Sequence, residues 1–220
     1  MNNRVLAEYL NDHSFPIIVK EKKKYLMYEG LQDRYAYILK SGVVKTSVIS
    51  RDGREFNLEY INGLEIVSLV KDEYSQFIDA PFNIRIESSI AELYQIDRVQ
   101  FWRDINNSLE LQNYVKDYYR LRLMHSMKKM QQMLMNGKFG AVCTQIYSLY
   151  DMFGKTVPGE QGFLIDFIIT NEEIARFCGI ASASSVNRMM QQLREMGAIE
   201  IRKRQIWIKD IEMIKENIIF

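Results

Sequence analysis

Arg188 is the one long cation at the head of a segment otherwise built from small side chains, Ala181-Ser182-Ala183-Ser184-Ser185. Val186, Met190 and Leu193 step by four and three, which predicts a helix from about Ser182 to Met196 with those residues as its buried stripe. Ser182, Ala183, Ser184, Ser185 and Arg188 then fall on its N-terminal, outward part. A wall of small residues lets a helix approach a surface closely. A guanidinium placed there can donate two parallel hydrogen bonds to guanine O6 and N7, and serine hydroxyls can bond bases or phosphates. Thr170 stands at a helix start, where backbone N–H groups can hold a phosphate. Arg202, Lys203 and Arg204 lie between two β-rich runs, a basic tip suited to the phosphate backbone of a nucleic acid.

Those side chains need a rigid carrier, and the local sequence supplies one. Thr170 and Glu173 form a capping box that starts a helix, Ile174 and Phe177 give it an apolar face, and Gly179 ends it. Ala175, four residues before Gly179, is small where crossing helices would touch. Two short helices joined by a glycine-containing turn make a helix-turn-helix. Gly197 stops the second helix, and AIEIRKRQIWIKD then reads as a β-hairpin, which makes the motif winged. Upstream, AVCTQIYSLYDMF (141–153) is an amphipathic helix, GKTVPGEQG (154–162) a loop and FLIDFII (163–169) a short strand-like run. Arg176 and Arg194 read as ordinary surface charges.

Between about Asn106 and Asn136 no glycine or proline interrupts the chain, far longer than an average globular helix. Tyr119, Leu123, Met127, Met130 and Leu134 form one apolar seam, and Tyr114, Tyr118, Leu121 and Met124 a second. Two seams allow packing on the helix's own domain with one and on a twin helix with the other, so the first is the expected dimer interface. Asn136-Gly137 is the expected C-terminal stop.

From about residue 15 to 100 the pattern is β. Gly30, Gly42, Gly53 and Gly63 recur at ten- to twelve-residue spacing around YAYIL, VVKTSVI and FNLEYI, which suggests a sandwich or barrel. Asp52-Gly53 in RDGR marks a hairpin turn. In VKTSVIS, apolar Val44 and Val48 nearly alternate with polar Lys45 and Ser47, as expected of strands with one buried face. FNIRIESSIAELYQI (82–96) supplies another pair of strands.

Composition narrows the class further. The 220 residues carry a formal charge of +1, with 47% hydrophobic and 26% charged residues, so a basic surface must be local. No apolar run approaches a membrane span and the N-terminus lacks the long apolar stretch of a secretory signal; two distant cysteines that make no disulfide framework lead to the expectation of a reducing cytoplasm. Cys143 and Cys178 have no CxxC spacing and read as small buried hydrophobes. His13 and His125 lie outside the strand region, so a cupin-like metal enzyme lacks its ligands. No GxSxG, Walker A or HExxH motif occurs, and the chain is not expected to be an enzyme.

The order of β-rich region, long helix and winged helix-turn-helix resembles the Crp/Fnr superfamily of bacterial transcription regulators. Its most specific part is ITNEEIARFCGIASASSVNRMMQQLREMGAI; GIASASSVNR, NGKFGAVCTQ and REFNLEYING look most like the PrfA-like branch. The resemblance implies an α+β chain with an N-terminal, jelly-roll-like β-roll over residues 1–105, a dimerisation helix over 106–137 and a winged helix-turn-helix over 138–220. It further implies a homodimer that reads a palindromic promoter site on double-stranded DNA and contacts RNA polymerase, an activator or a repressor according to where the site lies in the promoter, with Arg188 and Ser184 at the family's base-reading positions.

The same resemblance bears on effectors. In the region GLEIVSLVKDEYSQFIDAPFNIRIES, Gly63 and Glu65 stand at altered spacing and no Arg-Ser or Arg-Thr pair follows, so cyclic AMP is not expected. No N-terminal cysteine cluster is present for an iron–sulfur centre, and neither histidine has a haem-ligand partner. PrfA-like proteins accept glutathione between domains; Tyr60 and Phe153 are compatible with such an effector site, whereas Ile61, Asn62 and Glu65 are not. The alternative to a DNA reader is a signalling or scaffold protein whose winged helix binds another protein.

Overall fold

The structure, a computed structural model, describes residues 3–68 and 77–218, and the chain separates into two units, 1–124 and 125–220. In the first, α1 (Arg4–Asn11) precedes β1 (Ile17–Glu21), β2 (Tyr25–Met27), β3 (Gln32–Asp33), β4 (Tyr35–Ser41), β5 (Val43–Ile49) and β6 (Glu55–Asn62). There follow β7 (Glu65–Ile66), β8 (Ile78–Asp79), β9 (Asn83–Ile86), β10 (Ile90–Asp97), α2 (Arg98–Asn107) and the start of α3 (Leu109–Met135). Two four-stranded antiparallel sheets, ordered β1-β10-β4-β7 and β2-β9-β5-β6, form the roll, with β3 paired to β8 beside them.

Alternation along β4 explains how one strand serves two cores. Tyr37 and Leu39 join Met27, Val44, Ile61, Ile84, Ile86 and Leu93 in a cluster fed by both sheets. Ala36 and Ile38 point the other way, into a second cluster with Leu6 and Leu10 of α1, Phe101 and Ile105 of α2, and Leu111, Tyr114, Val115 and Tyr118 of α3. Successive strand residues face opposite sides, so a strand buried on both faces loses the polar alternation of an exposed one.

Residues 82–96 supply two strands as expected, β9 and β10, which lie in different sheets. Three expectations need correction here. Lys45, Thr46 and Ser47 are all buried beside Val44, so β5 has no polar, solvated face; the Lys45 ammonium sits 3.2 Å from the carboxylate of Glu55. The long helix starts at Leu109 and not at about Asn106, because Ser108 is extended (φ −127°, ψ 113°) and its hydroxyl accepts from the Leu111 N–H at 3.3 Å. A serine that caps the following helix in this way competes with helical continuation. The second seam packs on its own unit only through Tyr114 and Tyr118, while Leu121 and Met124 are exposed.

The second unit carries the rest of α3, then α4 (Gly137–Phe153), β11 (Gly154–Lys155), β12 (Phe163–Ile165), α5 (Asn171–Cys178), α6 (Ala183–Glu195), β13 (Ile199–Arg202), β14 (Gln205–Ile208) and α7 (Ile211–Lys215). Its sheet runs β11-β12-β14-β13. The core gathers Val142, Ile146 and Leu149 of α4, Ile174 and Phe177 of α5, Val186 and Leu193 of α6, and Ile206 and Ile208 of β14, all essentially inaccessible to water. Asn136 holds the α3–α4 junction, its side-chain amide donating to the Thr144 hydroxyl at 3.1 Å. Among the described residues no helix is long and apolar enough to cross a membrane.

Candidate nucleic-acid interface

The first helix of the motif is set by its two ends. Thr170 is the N-cap of α5, in extended backbone conformation, and its hydroxyl accepts from the Glu173 N–H at 3.2 Å. Gly179 takes the left-handed conformation (φ 62°, ψ 25°), open to glycine at little strain, and Ile180 N–H returns to the Ala175 carbonyl at 2.9 Å. Ala175 is buried. The chain thus reverses direction with no bulky side chain in the way, and α6 can start at once.

Ser182 caps α6, accepting from the Ser185 N–H at 3.4 Å, and lies 2.5 Å from the Ser184 hydroxyl. Val186, Met190 and Leu193 bury one side of the helix, so Ala183, Ser184 and Arg188 are exposed and Ser182 and Ser185 half-buried on the other. The Arg188 guanidinium has a 3.4 Å hydrogen bond to the Ser185 hydroxyl and no carboxylate partner among the described ion pairs. Arg176, by contrast, is taken by Glu172 at 2.7 Å and Glu173 at 3.4 Å.

Strands β13 and β14 form the hairpin that follows, with Arg202 opposite Gln205. Lys203 and Arg204 make the turn and project from it, both with positive φ (48° and 71°), the signature of a type I′ turn. Arg202 behaves differently. Its guanidinium stacks 4.1 Å from the centre of the Trp207 ring, donates to Glu200 at 3.3 Å and is hydrogen-bonded to Glu160.

Between the start of α5, the flank of α6 and the wing lies a groove of about 370 Å³ lined by Thr170, Asn171, Asn187, Gln191, Arg194 and Arg204 among others. Three of these polar residues, Asn171, Asn187 and Gln191, were not singled out in the sequence. The Asn171 side-chain amide donates to the side-chain Oδ1 of Asn187 at 3.2 Å across the two helices, and Arg194 donates to Gln191 at 3.0 Å. The place of Asn187 beside Arg188, off the buried stripe, is the signal that could have found it.

On α3, Leu123, Met127, Met130 and Leu134 are exposed, Leu134 to 79%, and Tyr119 is half-buried. A row of this kind is unusual for a solvated helix face. Near its C-terminal end the Lys129 ammonium lies 5.0 Å from the centre of the Phe177 ring of α5.

The residues considered for an effector fall in separate units. Tyr60 is buried on β6; Phe153 ends α4 and stacks on Phe167 with ring centres 4.5 Å apart. Sequence reading missed the polar cluster in which Arg122 of α3 is hydrogen-bonded to Glu59, sits 3.6 Å from Glu65 and donates to the Tyr118 hydroxyl at 3.3 Å. Burial raises the Glu65 carboxyl above the usual range, with Arg122 opposing that shift. Of the stretch 63–88 examined for a phosphate-holding pair, residues 69–76 lie outside the described residues. Burial pushes the thiols of Cys143 and Cys178 up to about 12, so neither forms the reactive thiolate at neutral pH.

A helix-turn-helix with a polar, small-residue outer face and a basic wing defines a winged-helix DNA-binding protein. Comparison with known proteins agrees. The model of the Crp-like helix-turn-helix domain matches residues 142–216. The lactate racemization regulatory protein of Lactiplantibacillus plantarum is 49% identical over 213 residues, covering 97% of this chain and 96% of that protein. The anaerobic regulatory protein of Bacillus subtilis is 27% identical over 183 residues, covering 82% and 74%. Among solved structures, FixK2 from Bradyrhizobium japonicum superposes with a TM-score of 0.79 at 14% identity, covering 93% of this chain and 97% of that one. The chain belongs to the Crp/Fnr family of transcription regulators, and it is a DNA-binding regulator rather than an enzyme.

Proposed function

We propose that the protein acts as a homodimer on a palindromic promoter site. Two copies pair along the α3 seam Tyr119, Leu123, Met127, Met130 and Leu134, and each inserts α6 into a major groove. Successive grooves on one face of the duplex lie about 34 Å apart, so the pairing of the long helices sets whether both recognition helices fit. Arg188 reads a guanine, and Ser182, Ala183, Ser184 and Ser185 allow the close approach this needs. Thr170 at the start of α5 and Lys203 and Arg204 at the wing tip hold phosphates. RNA polymerase recruited beside the bound dimer then makes the protein an activator.

The observation that carries this reading is the outer face of α6: an exposed arginine without a carboxylate partner among the described ion pairs, with the small side chains Ala183, Ser184 and Ser185 on the turn before it. Identity over nearly the full length to a regulator of lactate racemization favours promoters of genes for that process as targets. The test is binding of the purified protein to such promoter fragments across a salt series, beside Arg188→Ala. Selective binding that weakens steeply with salt, with selectivity lost in the variant, supports the reading; equal, salt-insensitive behaviour of both proteins overturns it.

A further inference from the structure

The three basic residues of the wing do not have one job. Lys203 and Arg204 project from the turn, whereas Arg202 is the last residue of β13 and lies across the hairpin's base. One face of its guanidinium covers the Trp207 ring at 4.1 Å; its edge bonds Glu200 of its own strand and Glu160 of the loop between β11 and β12. That loop is already close to the hairpin. At Gly162 (φ 100°) a side chain would meet the Ile208 carbonyl oxygen at 2.3 Å and the Trp207 ring nitrogen at 2.9 Å. On the other side of the hairpin, Gln205 donates to Asp166 at 3.1 Å, and Asp166 in turn receives Lys155 at 2.5 Å.

We infer that Arg202 is a positioning residue: it clamps the 156–162 loop to the wing and so fixes where Lys203 and Arg204 point, and it does not itself hold a phosphate. The chemistry favours this assignment. A planar guanidinium can stack and bond two carboxylates at once, which a lysine cannot reproduce. A phosphate approaching Arg202 would meet two carboxylates with one cation between them, a locally negative site. The loop residue Glu160 is the element that makes the clamp, because it reaches Arg202 across forty-two positions of sequence.

The inference rests on the proposed DNA reading only for the role of the wing tip; the clamp itself is testable without DNA. Hydrogen exchange of the full-length protein is measured on peptides covering 156–162 in wild type, Arg202→Ala, Glu160→Gln and Lys203→Ala. The clamp predicts exchange several-fold faster in the first two variants and unchanged in Lys203→Ala; unchanged exchange in Arg202→Ala overturns it. On a promoter fragment that the wild type selects, the slope of log K against log salt is then compared. Each phosphate contact contributes about 0.9 to that slope, so losing one per wing lowers a dimer's slope by roughly two. Lys203→Ala is expected to show that loss. Arg202→Ala is expected to bind more weakly with its slope intact, and Glu160→Gln to bind no more tightly than wild type. A slope lowered by roughly two in Arg202→Ala, or tighter binding by Glu160→Gln, overturns the assignment. If the wild type selects no fragment, the DNA reading falls and the exchange data still decide the clamp.

Discussion

Polar side chains are handled in opposite ways by the two units. The roll takes Lys45, Thr46, Ser47, Asn57, Ser68, Asn83 and Arg98 into its interior, whereas Gln145 is the buried polar residue of the winged helix among those described. In the winged helix the apolar residues go in, and serines, asparagines and arginines go out to a surface. The two arginines Arg122 and Arg188 show the same contrast at one residue type: the first is bracketed by Glu59 and Glu65, the second has one hydroxyl at 3.4 Å. Buried polar groups demand partners: Lys45, Ser68 and Asn83 have theirs inside the roll, while the hydroxyls of Thr46 and Ser47 are buried without one among the described residues; the winged helix instead leaves its polar groups on its surface.

The largest expected effect follows from the roll's side of that contrast. Lys45→Ala leaves the Glu55 carboxylate, itself only 12% exposed, without its ammonium and should destabilise the first unit by about 3–5 kcal/mol. Trp102 and Trp207 place one indole in each unit, so urea unfolding of Trp102→Phe and Trp207→Phe backgrounds reads the units separately. Only the transition seen by Trp102 should move. Leu193→Ala tests the other unit: a cavity under α6 costs about 2–5 kcal/mol and should move the Trp207 transition instead. If either variant shifts both transitions equally, the units do not fold independently.

Next in size is Arg188→Ala, expected to lose about 1–3 kcal/mol of discrimination between the selected site and one with its guanine replaced, with the salt slope little changed. Smallest is a pH effect at Glu65. Its folded carboxyl titrates above the ordinary glutamate range because it is buried, so the folded state holds this proton longer than the unfolded one. Stability from that group is present at low pH and is lost as pH rises from the ordinary value to the raised one. Melting of Glu65→Gln followed across that window should lack the decline; an identical decline in both proteins would remove Glu65 as its source.

What could be read from the sequence follows the same division. Thr170, Gly179, Ser182 and the stripe Val186-Met190-Leu193 act over one or two turns of chain, and caps, turns and periodicity are local physics that a sequence displays directly. The exposed α3 seam was legible for the same reason. Lys45 and Ser47 misled because the burial of both faces of β5 is set by tertiary packing and not by the residues next to them in sequence. The separation of β9 from β10 into different sheets, and the grip of Glu160 on Arg202, are likewise fixed by tertiary packing and leave no local pattern. The exact start of the long helix after Ser108 was within reach, since a serine preceding Leu-Glu-Leu is a capping signal.

The wing's turn has a practical consequence. Lys203 and Arg204 both hold the left-handed backbone that costs an ordinary residue roughly 1–2 kcal/mol, where Asn-Gly would sit with little strain. The natural chain therefore accepts a harder turn in order to carry charge there. A protein with Lys203→Asn and Arg204→Gly should fold its hairpin more readily yet present a blank tip. If the protein pairs as proposed, mixing this variant with the natural chain gives dimers armed on one side only, a genetically encoded antagonist made by easing a turn rather than by damaging a fold.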